Sequence, residues 1–396
     1  MTLLNYEEAL GKLKKNLAAI EETESVSLAE AASRVLAEDI FAEMPYPLFD
    51  NSAVDGYVLG HPVDKETPWK VTGAIYAGET HSQDIEAGCA LRIFTGAPVP
   101  PGAYAVVMQE EAEVRGEEVI FTKGIPPQGA NIRRKGDDFK KGTLLLQRGT
   151  ELNAGALSLI ASQNKTSIEV FRVPRIAIVG TGNELVEPGR ELPPGHIYDT
   201  NRIMLEALVK KEGCEANYVH VPDDENELTK WLKKFAEECD MILVTGGASV
   251  GEHDFLPRIV EKAGRIVFHR VAIKPGKPFL FGKIEGTPIF GLPGNPASAF
   301  VCFEIFVREA IRRVSGCKDA ALKWMKAKYL DEHSPHSRDE FIRARCEYEN
   351  GEFVARKVRE QGSFGLRSLA DANCLVRISA NCSHTPGDSH PILLLR

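Results

Sequence analysis

From Tyr6 onward, apolar side chains at Leu10, Leu13, Leu17 and Ile20 recur at spacings of three and four, which gathers them on one face of a helix. Ser27 followed by Glu30 has the spacing of a capping box and predicts a second helix running through Val35 and Leu36. The pattern changes at Met44-Pro45-Tyr46-Pro47. Beyond it Gly and Pro are frequent and the apolar segments are short and β-branched, as at 69–72 and 104–108, which predicts a β-rich insert. Asn153 then caps a short apolar helix over 154–162, placed to pack beside the first helices and to bring the two ends of the insert together. From Arg175 the rhythm alternates. Strands at 176–179, 217–221 and 241–244 are separated by amphipathic helices at 201–212, 225–238 and 255–262, which predicts a parallel sheet covered on both faces. Segments at 265–271, 279–283 and 289–290 and a long apolar helix over 296–314 continue it. After Gly316 the pieces at 340–348, 353–358 and 374–378 are β-type, no helix is predicted, and a small barrel or sandwich is expected.

Length and charge narrow the function classes. A chain of 396 residues holds two to four domains at roughly 150 residues each. With 48 Lys+Arg against 56 Asp+Glu the net charge is -8, and the densest basic cluster, Arg133-Arg134-Lys135, is followed at once by Asp137-Asp138. No basic stripe of the kind nucleic acid requires is present, so no nucleic-acid partner is expected, and any anionic ligand must be held locally. The apolar runs fall short of the ~18 residues of a membrane helix, and the N-terminus, carrying Glu7 and Glu8, lacks the basic start of an export signal. Eight cysteines without C-x-x-C or Cys/His ligand spacing give neither a zinc site nor a redox pair. A cytoplasmic protein with no membrane association is expected.

Candidate chemistry falls where an α/β sheet places it, in loops at the carboxyl ends of its strands. Three such loops carry glycines: Gly180-Thr181-Gly182-Asn183-Glu184, Thr245-Gly246-Gly247-Ala248-Ser249-Val250-Gly251-Glu252-His253-Asp254, and Gly291-Leu292-Pro293-Gly294-Asn295-Pro296. Backbone N–H groups in loops without bulky side chains approach phosphate oxygens closely, and three of them on one sheet edge read as an anion cradle. Singly, each also reads as a turn, and Asn295-Pro296 as a helix cap with proline at the first position. The carboxylates Glu184, Asp223, Asp224 and Asp254 accompany these loops and offer hard oxygen ligands for Mg²⁺, although Asp224 with Glu227 also fits a capping box. Lys274 and Lys277, on a segment stiffened by Pro275 and Pro278, can neutralise an oxyanion or a leaving phosphate. Arg133 and Arg134 offer planar donor forks for the same kind of group, or a surface ion pair with Asp137 or Asp138. Gly247-Ala248-Ser249-Val250-Gly251 matches the G-x-S-x-G elbow of serine hydrolases, with Asp254 and His269 following in triad order, so a hydrolase using Ser249 is the rival reading.

Six motifs in order carry a resemblance over nearly the whole chain: Asn51 to Tyr57 (NSAVDGY), Thr95 to Pro100 (TGAPVP), Asn131-Ile132-Arg133-Arg134 with Gly136 and Asp138, the Thr245 to Asp254 loop, Ala272 to Pro278 (AIKPGKP), and Leu292 to Pro296 (LPGNP). At these residues the chain resembles the molybdopterin molybdenumtransferases, the MoeA proteins related to the E domain of gephyrin and its plant counterpart. The resemblance implies a multidomain α/β subunit: a helical linker domain (1–44 and 147–172), a β-rich inserted domain (45–146), a MogA/MoaB-like parallel α/β sheet domain (173–317) and a C-terminal β-barrel (318–396). It implies a homodimer with shared active sites. The implied reaction inserts molybdate into adenylylated molybdopterin, with Mg²⁺, releasing AMP, and a MogA/MoaB-like adenylyltransferase is the expected partner.

By the same resemblance Glu184, Asp223 and Asp254 handle metal and pyrophosphate, with Asp224 as the alternate to Asp223. Lys274, Lys277, Gly246, Gly247, Ser249, Pro293, Gly294, Asn295 and Pro296 shape the pterin and oxyanion pocket, and Ser363 is contributed by the barrel. Asp55, Thr95, Arg133 and Asp138 come from the facing subunit. Relatives often carry Ser-Thr-Gly-Asp-Glu at the first loop, where this chain has Asn183. A tungstate-specific homologue and a scaffold role of the gephyrin kind remain as further alternatives.

Overall fold

The structure, a computed structural model, describes residues 3–63, 68–79, 83–246 and 255–395. The chain forms two compact units: Met1–Glu38, Arg148–Asn153 and Ser167–Arg396 make the first, and Asp39–Gln147 with Ala154–Thr166 the second.

The first unit is built on a six-stranded sheet in the order Glu215–Val221, Arg175–Thr181, Met241–Thr245, Thr287–Leu292, Leu280–Ile284, Gly264–His269. The first four strands are parallel. Leu280–Ile284 runs antiparallel to both its neighbours, a departure from the all-parallel expectation with a local cause, and Gly264–His269 returns to the direction of the first four. Only Glu285 and Gly286 join Leu280–Ile284 to Thr287–Leu292, at φ of 51° and 94°, and a two-residue turn of that kind connects antiparallel neighbours. Alternation along the strands sends Ile176, Ile178 and Leu243 to one face, against Leu205, Val209 and the helix over 296–314. Ala177, Val179, Ile242 and Val244 face the other way, against Leu228, Leu232, Phe235 and Ile259. Burial on both faces is why these strands read as continuous apolar runs. The loops after Thr181, Val221, Thr245 and Leu292 therefore leave the same sheet edge.

The N-terminal helix Tyr6–Lys15 forms, with a capping box between Asn5 and Glu8, and buries Tyr6, Ala9, Leu10 and Leu13. The second helix expected from Ser27 does not. Thr23–Ser27 is a strand paired antiparallel with Ser167–Phe171, the Ser27 hydroxyl donates to the Glu30 carboxylate (2.7 Å) instead of capping amides, and Ser33 sits at φ 64°, where a helix cannot continue. The long helix over 296–314 forms as Pro296–Cys302 and Arg308–Val314 joined by a wider π-helical stretch, Phe303–Val307.

The C-terminal strands close on themselves in the order Asp339–Glu349, Glu352–Lys357, Trp324–Tyr329, Ser389–Leu394, Cys374–Ile378 and back to Asp339–Glu349, a small barrel filled by Tyr329, Ile342, Ala344, Val376 and Ile392. The short strand Ile273–Lys274 adds to its edge beside Asp339 and Glu340. One helix, Leu366–Asp371, interrupts the all-β pattern expected there. It follows the Gln361 to Gly365 turn, and Ser368 within it is buried.

In the second unit a six-stranded sheet orders Ala105–Met108, Gly56–Leu59, Cys89–Ile93, Trp69–Ile75, Glu118–Phe121 and Ala112–Arg115. Its ends meet where Ile40–Phe41 pairs with Leu144–Leu146. The helix Ala154–Ala161, expected beside the N-terminal helices, belongs to this unit instead. Just beyond it the Gln163 side chain accepts from the N–H groups of Glu43 and Met44. Among the described residues no helix is long and apolar enough to cross a membrane.

Candidate functional site

The three glycine loops of the first unit touch. A methyl group built on Gly246, which sits at φ 88°, would lie 2.5 Å from both the carbonyl and the hydroxyl oxygen of Thr181, so the second loop packs on the first with room for glycine alone. A methyl on Gly294 would lie 3.8 Å from the Gly246 Cα, which brings in the third loop. Asn201, buried at the start of the helix Thr200–Lys211, ties the set together: its Nδ2 donates to the Thr245 hydroxyl (2.8 Å) and to the Gly294 carbonyl (2.7 Å).

The acidic residues stand at the open end of this cluster. Glu184 is exposed and folds back over its own loop, with Oε2 2.5 Å from where a side chain at Gly182 would begin. Asp223 is fixed to the same loop by a reciprocal pair: the Asn183 N–H donates to the Asp223 carboxylate (3.2 Å) and the Asp223 N–H to the Asn183 amide oxygen (3.1 Å). Asn183 thus meets Asp223 without adding a second negative charge beside it. Asp224 turns the other way and caps the helix Glu225–Glu238, its Oδ1 accepting from the N–H groups of Asn226 and Glu227 at 2.9 Å each. Among the described residues no three His, Cys, Asp or Glu side chains converge as a complete metal site. Gly247, Ser249 and Asp254 lie outside the described residues.

At the third loop Asn295 occupies the cap position of the helix Pro296–Cys302, but its side chain does not cap. It donates to the Ser363 hydroxyl (3.1 Å), while the Ala297 N–H donates to the Ser363 carbonyl (3.0 Å). The turn carrying Ser363 is held by Arg343, 0% exposed, whose Nη2 donates to the carbonyls of Glu360 and Gly362 at 3.0 Å each and whose Nε donates to the Ser368 hydroxyl (2.8 Å). Gln361 from this turn and Lys274 then line one 230 Å³ cavity, with Glu340 and His333 among its other walls. Lys274 and Lys277 are both exposed. Contacts thus link the first loop, with Glu184 and Asp223, through Gly246, Gly294 and Asn295 to Ser363, and Gln361 of the Ser363 turn shares a cavity with Lys274; Pro293 is buried and Pro296 half-buried.

The remaining candidates gather in the second unit. The Asp55 carboxylate accepts from the Thr95 N–H (2.7 Å) and hydroxyl (2.8 Å), bonds that hold it below the usual carboxylate range. Arg133, Asp138 and Gly96 line one 620 Å³ cavity together with Tyr46, Phe49 and Asn51. Arg134 is diverted, pairing with Asp50 at 2.7 Å.

Asn201, Arg343 and Glu340 escaped the sequence reading. Asn201 had one local signal, an amide side chain at the buried start of a helix just after Asp199, which caps it. Replacing Asn201 by Ala leaves the Gly294 carbonyl and the Thr245 hydroxyl without their donor. A loss of about 1–3 kcal/mol is expected, read as a lowered denaturant midpoint; an unchanged midpoint would show that the loops are held together by other means.

An open α/β sheet with glycine loops packed together at the carboxyl ends of its strands has the architecture of a ligand-binding α/β domain, whose crevice lies at those loops. The family model described as the probable molybdopterin binding domain matches residues 177–313, which span all three glycine loops. The chain belongs to the MoeA family: models of the MoeA N-terminal region (domain I and II) and the MoeA C-terminal region (domain IV) match residues 4–163 and 330–395. It is 35% identical over 384 residues to the molybdopterin molybdenumtransferase of Haemophilus influenzae, covering 94% of each chain. It is 33% identical over 394 residues to that of Bacillus subtilis, covering 95% of this chain and 90% of the relative. The crystal structure of the molybdopterin biosynthesis moeA protein from Pyrococcus horikoshii superposes with a TM-score of 0.86 at 33% identity, covering 100% of both chains.

Proposed function

We propose that the protein is a transferase of molybdenum cofactor biosynthesis that inserts molybdate into adenylylated molybdopterin, in a Mg²⁺-dependent reaction that releases AMP. What carries the reading is the packing of the three glycine loops on one another, with Glu184 and Asp223 at the first loop, Ser363 bonded to Asn295 of the third, and Lys274 on a cavity shared with Gln361 of the Ser363 turn. The relatives named above support the same activity. The substrates are both anions, a pterin with a pyrophosphate-linked adenylate and a tetrahedral dianion, and they must meet despite mutual repulsion. The glycine loops offer N–H groups to phosphate oxygens, and Lys274 and Lys277 supply opposing charge for the oxyanion.

The donor set suits Mg²⁺, which binds through one or two carboxylates, substrate phosphates and retained waters rather than a complete protein cage. Glu184 and Asp223 would hold it, with Asp254 as a third donor. Asp224 is the weaker candidate because its Oδ1 is committed to the helix cap. When bound, the cation would screen the pyrophosphate and stabilise charge on the departing phosphate. The chain's own residues hold the binding loops in place: Asn183 fixes the Asp223 carboxylate, Asn201 fixes the loop spacing, and the Arg343-held turn presents Ser363 to Asn295. Asp55, Thr95, Arg133 and Asp138 would act in the site of a facing subunit in a homodimer.

Incubating the purified protein with adenylylated molybdopterin, Mg²⁺ and molybdate should release AMP in step with molybdenum incorporation. Absence of molybdate-dependent AMP release would overturn the reading. Mixing Asp55→Asn with Glu184→Gln subunits, each impaired alone, should restore part of the activity if sites are shared across a dimer.

A further inference from the structure

We propose that Glu340 and His333 of the C-terminal barrel are a positioning pair that fixes the Lys274 ammonium and makes its handling of the oxyanion depend on the charge of His333. The inference rests on the role given to Lys274 above. Glu340 lies on the strand Asp339–Glu349, its side chain 11% exposed, and both its oxygens are engaged: Oε1 stands 2.8 Å from Lys274 Nζ and Oε2 3.0 Å from His333 Nε2. Lys274 is 48% exposed, so its ammonium can reach a ligand while one buried carboxylate holds it. A lysine without such a partner spreads over many rotamers, and ordering it costs entropy each time a ligand binds. The backbone is fixed by the same strand: Lys274 stands in register with Glu340, the Asp339 N–H donates to the Ala272 carbonyl (3.0 Å), and Arg338 Nη1 donates to that of Ile273 (3.0 Å).

His333 makes the arrangement responsive to pH. Burial lowers its affinity for a proton; Glu340 opposes this, and His384, Lys274 and His336 reinforce it. The other titratable groups around it belong to three elements. Tyr329 and Glu332 flank it on its own segment and Lys357 faces it across the 230 Å³ cavity. His384, in ring contact with His333, is bonded to His390 (2.9 Å) and stands 3.9 Å from Asp388. With His333 neutral, the negative charge of Glu340 is directed to Lys274. Once His333 is protonated, the carboxylate is shared between two cations, its hold on Lys274 slackens, and positive charge accumulates in the cavity.

The test is amine labelling of Lys274 in the full-length protein, followed by peptide mass spectrometry, beside AMP release with varied molybdate. Glu340→Gln should raise the Lys274 labelling rate at pH 8 severalfold and raise the KM for molybdate more than it lowers kcat, and Glu340→Asp should recover part of both. An unchanged labelling rate overturns the proposal. Faster labelling with unchanged molybdate kinetics leaves the tether standing and removes Lys274 from the reaction, so the two failures are distinguishable. His333→Asn keeps a neutral donor and serves if Glu340→Gln does not fold. It should leave labelling at pH 8 unchanged and abolish the change in molybdate KM that the wild type shows as pH falls below the ordinary histidine value; persistence of that change overturns the pH dependence.

Discussion

Replacing Glu184 by glutamine is expected to slow AMP release at least about tenfold, a loss of about 1.4 kcal/mol in transition-state stabilisation, while the fold is retained. Glu184 is exposed at the tip of the first loop, and surface substitutions of this kind cost within about 0.5 kcal/mol of stability. The amide keeps the shape that folds back over Gly182 and removes only the charge. The Mg²⁺ concentration giving half-maximal rate should rise in the same variant, because one of two exposed carboxylates at the loop tips is gone. Asp224→Asn is the internal comparison: asparagine caps a helix about as well as aspartate, so stability and rate should both hold. Single-turnover AMP release measured at several Mg²⁺ concentrations decides it. An unchanged rate for Glu184→Gln would remove this residue from the chemistry, and a large loss for Asp224→Asn would reverse the ranking of the two aspartates.

The sequence made the loops legible because their information is local. A strand followed by Gly182, Gly246 or Gly294 announces a turn at a strand end, and the order of strands and helices places those turns on one edge. What escaped depends on partners far along the chain. Arg343 and Glu340 sit in an ordinary strand, and nothing near them in sequence shows that one holds the turn at Ser363 and the other reaches Lys274, across strands that pair only in the folded barrel. The misread helix after Ser27 fails for a related reason. Its capping spacing is real, but the Ser27 hydroxyl satisfies Glu30, and a partner strand at Ser167–Phe171 takes the backbone. Asn295 shows the converse, since the N-cap position was readable but the use of its side chain was not. Local chemistry was readable to the extent that backbone geometry dictated it; side-chain destinations set by tertiary pairing were not.

Arg308→Ala is expected to cost about 3–5 kcal/mol, the usual penalty for leaving a buried ion without its partner. Arg308 is buried in the helix that backs the third loop, its side chain 7% exposed; Nη1 stands 2.8 Å from Glu304 and Nε 3.3 Å from Glu212. Nη1 also donates to the Leu394 carbonyl in the last barrel strand (3.4 Å), so the residue joins the α/β core to the barrel that supplies Ser363 and Glu340. A fall of roughly 10 °C in the thermal midpoint follows from about 2–4 °C per kcal/mol for a unit of this size.

The pH dependence has a definite sign. Burial raises the Glu304 carboxyl above its ordinary range, against the pull of Arg308, and removing the arginine raises it further. A carboxyl with a raised folded-state pKa binds its proton better folded than unfolded. Its favourable contribution is complete below the unfolded value of about 4.3 and is lost as pH rises through the folded one. The deficit of Arg308→Ala should therefore be largest at pH 8 and shrink toward pH 5, and adding Glu304→Gln should recover a large part of it at pH 8. Thermal midpoints across that range test both statements, and a deficit independent of pH would show that Glu304 is not the group left exposed to the penalty.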